Sequence, residues 1–268
     1  MNKRYSYYLK FPFILCCLVV ALLFNQQAKA QYFGQNKVRY KNLKFKVYKT
    51  PHFEIYYYIK NDSLLKRFAQ ESELWYTLHQ QVFRDTFNKP NPIILYANHP
   101  DFQQTTAIDG EISVGTGGIT EGLKNRVVMP FMETNQTTRH VLGHELVHAF
   151  QYHTLLGHDS SSFENIGNLP LWMIEGMAEY LSIGKKDAYT AMWMRDAYLN
   201  HDIPTVEALT TSSKYFPYRY GEAFWSFLGS TYGDTIIVPF FKNTARYGLE
   251  YGIRRTFGYD DKTLSRLW

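Results

Sequence analysis

Cysteine is nearly absent. The chain has two in 268 residues, Cys16 and Cys17, both among its first thirty positions. Without that stretch no disulfide can form, so stability has to come from core packing and from any bound metal. Long hydrophobic spans are also missing. The 14-residue run FPFILCCLVVALLF, residues 11–24, is shorter than the ~20 residues a membrane helix needs. Charge of one sign is scarce once the start of the chain is set aside. Lys3, Arg4, Lys10 and Lys29 fall in residues 1–30 with no acid, and residues 31–268 carry 25 basic against 24 acidic residues. That balance excludes a basic nucleic-acid footprint. The sequence shows no internal repeat, low-complexity tract, phosphate-binding glycine loop, serine nucleophile elbow or basic aromatic stripe.

What is present begins with a basic start, the apolar run, and a small-residue end, Ala28-x-Ala30. That order predicts a secretory signal peptide over residues 1–30, cleaved before Gln31, with export to the periplasm or the extracellular space and no stable membrane span afterwards. The composition, 45% hydrophobic and 20% charged, is that of a globular chain with a real core. The 22 tyrosines suit half-buried strand positions. Two alternating runs around Thr50-Pro51 predict paired strands. Residues 63–83 have helical apolar spacing behind the Asn61-Asp62-Ser63 cap cluster. NPIILYA reads as a short buried strand, and residues 109–131 as strand, glycine-rich turn and strand. From Thr137 the pattern is mainly helical. This order predicts an α+β domain over residues 31–268, with a β-rich half (31–135) whose small mixed sheet packs on a helical half (136–268).

The chemistry is concentrated in RHVLGHELVHAFQYH, residues 139–153. On a helix, positions i and i+4 share a face, so His144 and His148 can aim two imidazoles at one ion. Glu145, at the rim of that face, can reach a water that zinc has made acidic and take its proton. Asn135, Thr137 or Thr138 can cap the helix, and Val141, Leu142, Leu146, Val147 and Phe150 supply its apolar contacts. The alternative is a core helix with two satisfied histidines.

A catalytic zinc needs a third protein ligand and an open position. A metzincin would place glycine and histidine where Gln151 and Thr154 stand, so that class is excluded. Asp159 sits in a Ser/Gly-rich stretch that reads as a surface turn. The stronger candidates are in LPLWMIEGMAEYLS. Pro170 marks a helix start, Leu171, Ile174, Ala178 and Leu181 give its periodicity, and Glu175 and Glu179 lie one turn apart on one face.

HELVH followed by WMIEGMAEY resembles the gluzincin metallopeptidases, whose second helix carries a glutamate ligand in an E-G-x-A context. M1 aminopeptidases show a similar W-x-x-E-G-x-A-x-Y string. The closer likeness is to the peptidase-MA-like domains of secreted bacterial proteins, strong over residues 139–183 and loose over about 45–250. It implies a thermolysin-like zincin fold and a zinc-dependent peptidase acting on peptides or proteins. His144, His148 and Glu175 would be ligands, Glu145 the general base, and Glu179 an outer carboxylate receiving a ligand histidine's free N–H. It also implies that a C-terminal β-propeller can accompany such a domain in a longer chain. Gluzincins use a tyrosine from a later helix at the oxyanion. FPYRYGEAFWSFL offers one there, and Tyr220 is the expected donor. Gly117 and Gly118, in residues 111–130, would let a substrate strand approach an edge of the sheet. GGITEG lacks the methionine and asparagine of the exopeptidase motif G-x-M-E-N. His52, His79, His99, His140, His153, His158 and His201 are expected at the surface or in loops. The rival function is a secreted binding or assembly module with a structural zinc; an intact Glu145 argues against it.

Overall fold

In the computed structural model, residue 37 and residues 39–156 and 165–268 are described. The expected signal peptide, Asp159 and His158 lie outside them. Arg39 to Trp268 form one compact unit of mixed α+β architecture.

Five strands make a single sheet in the order β1-β2-β3-β5-β4, comprising β1 Lys46–Lys49, β2 Phe53–Tyr57, β3 Asn91–Tyr96, β4 Ile119–Glu121 and β5 Arg126–Pro130. The β1/β2 and β4/β5 pairs are antiparallel, while β2/β3 and β3/β5 are parallel. Parallel neighbours need a crossover. Helix α1, Asp62–Phe83, provides it between β2 and β3, with the Asn61 side chain accepting from Leu64 N at its start. Its buried positions, Leu65, Phe68, Ala69, Ser72, Trp75, Tyr76, His79 and Phe83, recur at helical spacing and form one stripe. Phe53, Ile55, Ile93, Leu95, Val127 and Met129, on one face of the sheet, join that stripe in the main core. The other face holds a smaller cluster of Tyr96, Phe102, Ile112 and Val128, closed by the short helix α2, His99–Phe102.

One strand expectation fails. No strand forms over residues 109–114. The strand pairing with β5 is Ile119–Glu121, after the glycines, and Val114 is exposed. Gly115, Gly117 and Gly118 lie in the irregular approach to β4, not in a turn between strands.

Eight helices follow among the described residues: α3 Asn135–Leu156, α4 Leu171–Ile183, α5 Ala188–Leu199, α6 Val206–Thr211, α7 Pro217–Tyr232, α8 Ile237–Tyr247, α9 Leu249–Phe257 and α10 Asp261–Leu267. Helix α3 lies between the sheet and α4, packing on α1, β4, β5 and α4. Helix α4 crosses α7 at two glycines. A Cβ on Gly176 would sit 2.3 Å from the Gly221 carbonyl carbon, and one on Gly221 would sit 2.3 Å from the Trp172 oxygen. No other residue permits that approach. The contact is sealed by buried Trp172 and Trp225, whose indole N–H groups donate to Thr210 Oγ1 and to the Met173 carbonyl. Among the described residues, no helix is long and apolar enough to cross a membrane.

Candidate metal centre

Helix α3 is capped by Thr134, whose Oγ1 accepts from Thr137 N at 3.0 Å, not by any of the three residues the sequence suggested. Ten consecutive residues, Leu142 to Gln151, are buried, and they include His144, Glu145 and His148. The two histidine Nε2 atoms lie 3.1 Å apart. Glu175 Oε2, from α4, lies 3.2 Å from each of them. The three atoms thus form a nearly equilateral triangle.

The far side of each ring also has a partner. His144 Nδ1 lies 2.9 Å from Glu179 Oε1, off the line of a well-aligned hydrogen bond. His148 Nδ1 lies 2.8 Å from Gln151 Oε1. Both partners are acceptors, so both Nδ1 atoms carry protons and both Nε2 lone pairs point into the triangle when the rings are neutral. Two lone pairs and a carboxylate then converge with no donor among them, an arrangement that calls for a cation or added protons.

A second group, His140, His144 and Glu179, also brings three such atoms together. It is a poorer cation site, because Glu179 Oε2 already faces the Arg219 guanidinium at 3.0 Å. Glu179 acts instead as a hub, with His140 Nε2 3.2 Å from Oε1 beside His144.

The charges fit this picture. Burial by itself would lower the His144 pKa, but the Glu175 and Glu179 carboxylates beside the ring overcome that and raise it to about 10. Burial would raise Glu175 and Glu179; the histidines beside them instead hold both well below the usual carboxylate range.

Glu145 follows His144 directly but turns toward the sheet. Thr120 Oγ1, on β4, lies 2.8 Å from its Oε2 and 2.9 Å from its backbone carbonyl. A Cβ on Gly118 would stand 2.9 Å from its Oε1. Gly118 is therefore close-packed against this carboxylate, while a Cβ on Gly117 would meet Val141 at 2.9 Å.

The expected Tyr220 is not brought to the centre. It is buried against Trp193 and Tyr215. Tyr218, two positions earlier and therefore on the opposite side of α7, stacks its ring on His144, with centroids 5.8 Å apart and planes 9° from parallel. Burial, then the Glu175 charge, pushes its hydroxyl far above the usual phenol range, so it stays protonated.

Residues 103–209 match the BSP family model, "Peptidase of plants and bacteria". The likeness is to peptidases. It covers α3 and α4 and so every residue of the triangle, but not α7 with Tyr218. No curated protein matches the chain.

The remaining histidines divide. His79, expected in a loop or at the surface, is buried on α1, stacked on Trp75, with Nε2 3.0 Å from the Gly143 carbonyl. Burial lowers its pKa to about 4, so it is a neutral donor bracing α3. His140 and His153 are also helical, paired with Glu179 and Asp85. His52, in the β1–β2 turn, pairs with Glu73. Sequence reasoning missed Gln151, Arg219 and Tyr218 as neighbours of the centre. Gln151 lies one turn beyond His148, a spacing that could have identified it.

Proposed function

We propose that the chain is an exported zinc metallopeptidase of the gluzincin, peptidase-MA-like kind, with His144, His148 and Glu175 as metal ligands and a peptide or protein as substrate. The observation that carries this reading is the convergence of two imidazole Nε2 atoms and one carboxylate oxygen at 3.1–3.2 Å. Tetrahedral bonds of ~2.0–2.1 Å put ligand atoms roughly 3.3 Å apart, so the triangle suits zinc in size. Its two nitrogens suit zinc better than magnesium or calcium, which take oxygen. When bound, zinc supplies Lewis acidity and brings the pKa of a water toward neutrality.

The chain's own groups complete the reaction. Glu145 lies outside the triangle, with Oε2 held by Thr120. In this reading its role is to take a proton from the attacking water and deliver it to the leaving amine. Tyr218 replaces Tyr220 as the donor to the carbonyl oxygen while negative charge develops there. Its raised pKa keeps the required proton on it. Strand β4 lies at the end of the sheet order and next to Glu145 through Thr120, so an extended substrate could pair with it. Glu179 fixes the His144 ring from behind, as outer carboxylates do in zinc sites. The basic, apolar and small-residue order of residues 1–30 supports export.

Metal analysis of the purified protein, combined with hydrolysis of a quenched peptide library before and after chelation, tests this. About one zinc per chain is expected, with hydrolysis lost on chelation and restored by zinc. Zinc without hydrolysis would leave a structural-zinc module, and absence of zinc binding would overturn the metal assignment.

A further inference from the structure

We infer that Gln151 is a positioning residue for the centre: it sets the proton of His148 and ties the His148 ring to the backbone that carries Glu175. The inference rests on the zinc reading above, although one of its readouts does not need zinc. Gln151 lies on α3 three residues after His148 and is 3% exposed. Its Oε1 is 2.8 Å from His148 Nδ1, and its Nε2 is 3.1 Å from the Ile174 carbonyl oxygen.

The direction of the amide follows from its partners. A backbone carbonyl only accepts, so the end of the amide facing Ile174 must be the donating NH2. The end facing His148 is then the oxygen, which can only accept. His148 Nδ1 must therefore carry a proton, and the Nε2 lone pair is left for the triangle with His144 and Glu175. A backbone carbonyl on α4 thus decides, through one amide, which nitrogen of a ring on α3 is free. Ile174 directly precedes Glu175. The same bond therefore holds the two ligands' helices in register.

Chemistry explains why an amide stands here and a carboxylate stands behind His144. Glu145, Glu175 and Glu179 already bring three acids to this region, and Arg219 meets one of them. A fourth carboxylate would add uncompensated charge. It would also face the Ile174 oxygen with no proton to donate. A glutamine supplies an acceptor and a donor at no charge.

The test uses the full chain with zinc as the only probe. Zinc affinity is measured by chelator competition for the parent, Gln151→Leu and Gln151→Glu, together with the melting temperature of each zinc-free protein. The parent's His148 ring is also observed by nitrogen-15 NMR without zinc. A solvent-protected proton on His148 Nδ1 is expected in the parent and is expected to vanish in Gln151→Leu. Zinc affinity should fall ~10–100-fold in Gln151→Leu, the usual cost of losing an outer partner. Gln151→Glu should recover only part of that loss: it keeps the acceptor for His148 Nδ1, but it loses the tie to Ile174 and adds a buried charge. A parent without the Nδ1 proton would overturn the inference, even if the variants failed to fold. So would a Gln151→Leu protein that binds zinc as tightly as the parent while only its melting temperature falls. A parent that shows the proton but binds no zinc would overturn the zinc reading and leave the ring-setting role standing.

Discussion

Toward α4 and α7, helix α3 presents rings held largely by charge: His144 between Glu175 and Glu179, with Arg219 behind Glu179. Toward β4 it presents a carboxylate held by one hydroxyl and by the missing side chain of Gly118. Residues 144 and 145 are adjacent in sequence, yet a helix turns about 100° between them, so they fall under different neighbours. On the proposed reading, the helical side holds the cation. On the sheet side, Thr120 holds Oε2 of Glu145 and Oε1 faces Gly118, and the same reading gives this carboxylate the role of base. Damage to the first should therefore appear in metal occupancy, and damage to the second in rate.

The largest effect expected on the helical side comes from His148→Ala. It removes one corner of the triangle and leaves the Gln151 acceptor without a donor. Zinc affinity should drop by more than the ~100-fold that an outer partner can cost. The rise in melting temperature on adding zinc should disappear with it, because metal binding and folding are coupled. Calorimetry with and without zinc measures both.

The matching test on the sheet side is Gly118→Ala. Its new Cβ would meet Glu145 Oε1 and Cγ at 2.9 Å, so the carboxylate must move. A misplacement of about 1 Å costs up to ~10²-fold in rate, which sets the upper bound expected here. Zinc affinity should change little. If Gly118→Ala lost zinc and kept its rate per bound zinc, the division between the two sides would fail.

A smaller effect tests a carboxylate on the helical side that the centre does not use. Glu222, on α7, is 1% exposed and has an unpartnered Oε2. Burial, with smaller contributions from the Asp187 and Glu179 charges, raises its pKa to about 7. A folded-state pKa above the unfolded value near 4.5 means that the native protein holds the extra proton. Its contribution to stability is therefore full below about pH 4.5 and is lost as pH rises through about 7. Glu222→Gln should show a smaller fall in melting temperature between pH 5 and pH 8 than the parent, by a few degrees. An identical fall in both proteins would show that Glu222 does not titrate there.

Much of this arrangement was legible in the sequence because it is local. The four-residue spacing of His144 and His148, and of Glu175 and Glu179, states which side chains share a face. The cap at Asn61 and the turn at Thr50-Pro51 are likewise settled within a few residues. The parts that were not legible depend on how elements meet. The string Tyr218-Arg219-Tyr220 does not say which tyrosine faces α3, because the Gly176–Gly221 crossing sets the rotation of α7. Gln151 drew notice only as a residue that excludes another peptidase class. Its partner, Ile174, lies 23 positions away on a different helix. The misplaced first strand has a similar cause. Residues 109–114 alternate acceptably for a strand, but β5 pairs with Ile119–Glu121, where Thr120 can also reach Glu145.

The most direct test of the central claim is Glu145→Gln, assayed for zinc content and peptide hydrolysis beside the parent. Glutamine keeps the size of the side chain and removes its ability to take a proton. The account predicts zinc bound as in the parent, an unchanged fold, and turnover lower by ~10²–10⁴-fold, the usual contribution of a general base. A Glu145→Gln protein that hydrolyses peptides at the parent's rate would contradict it.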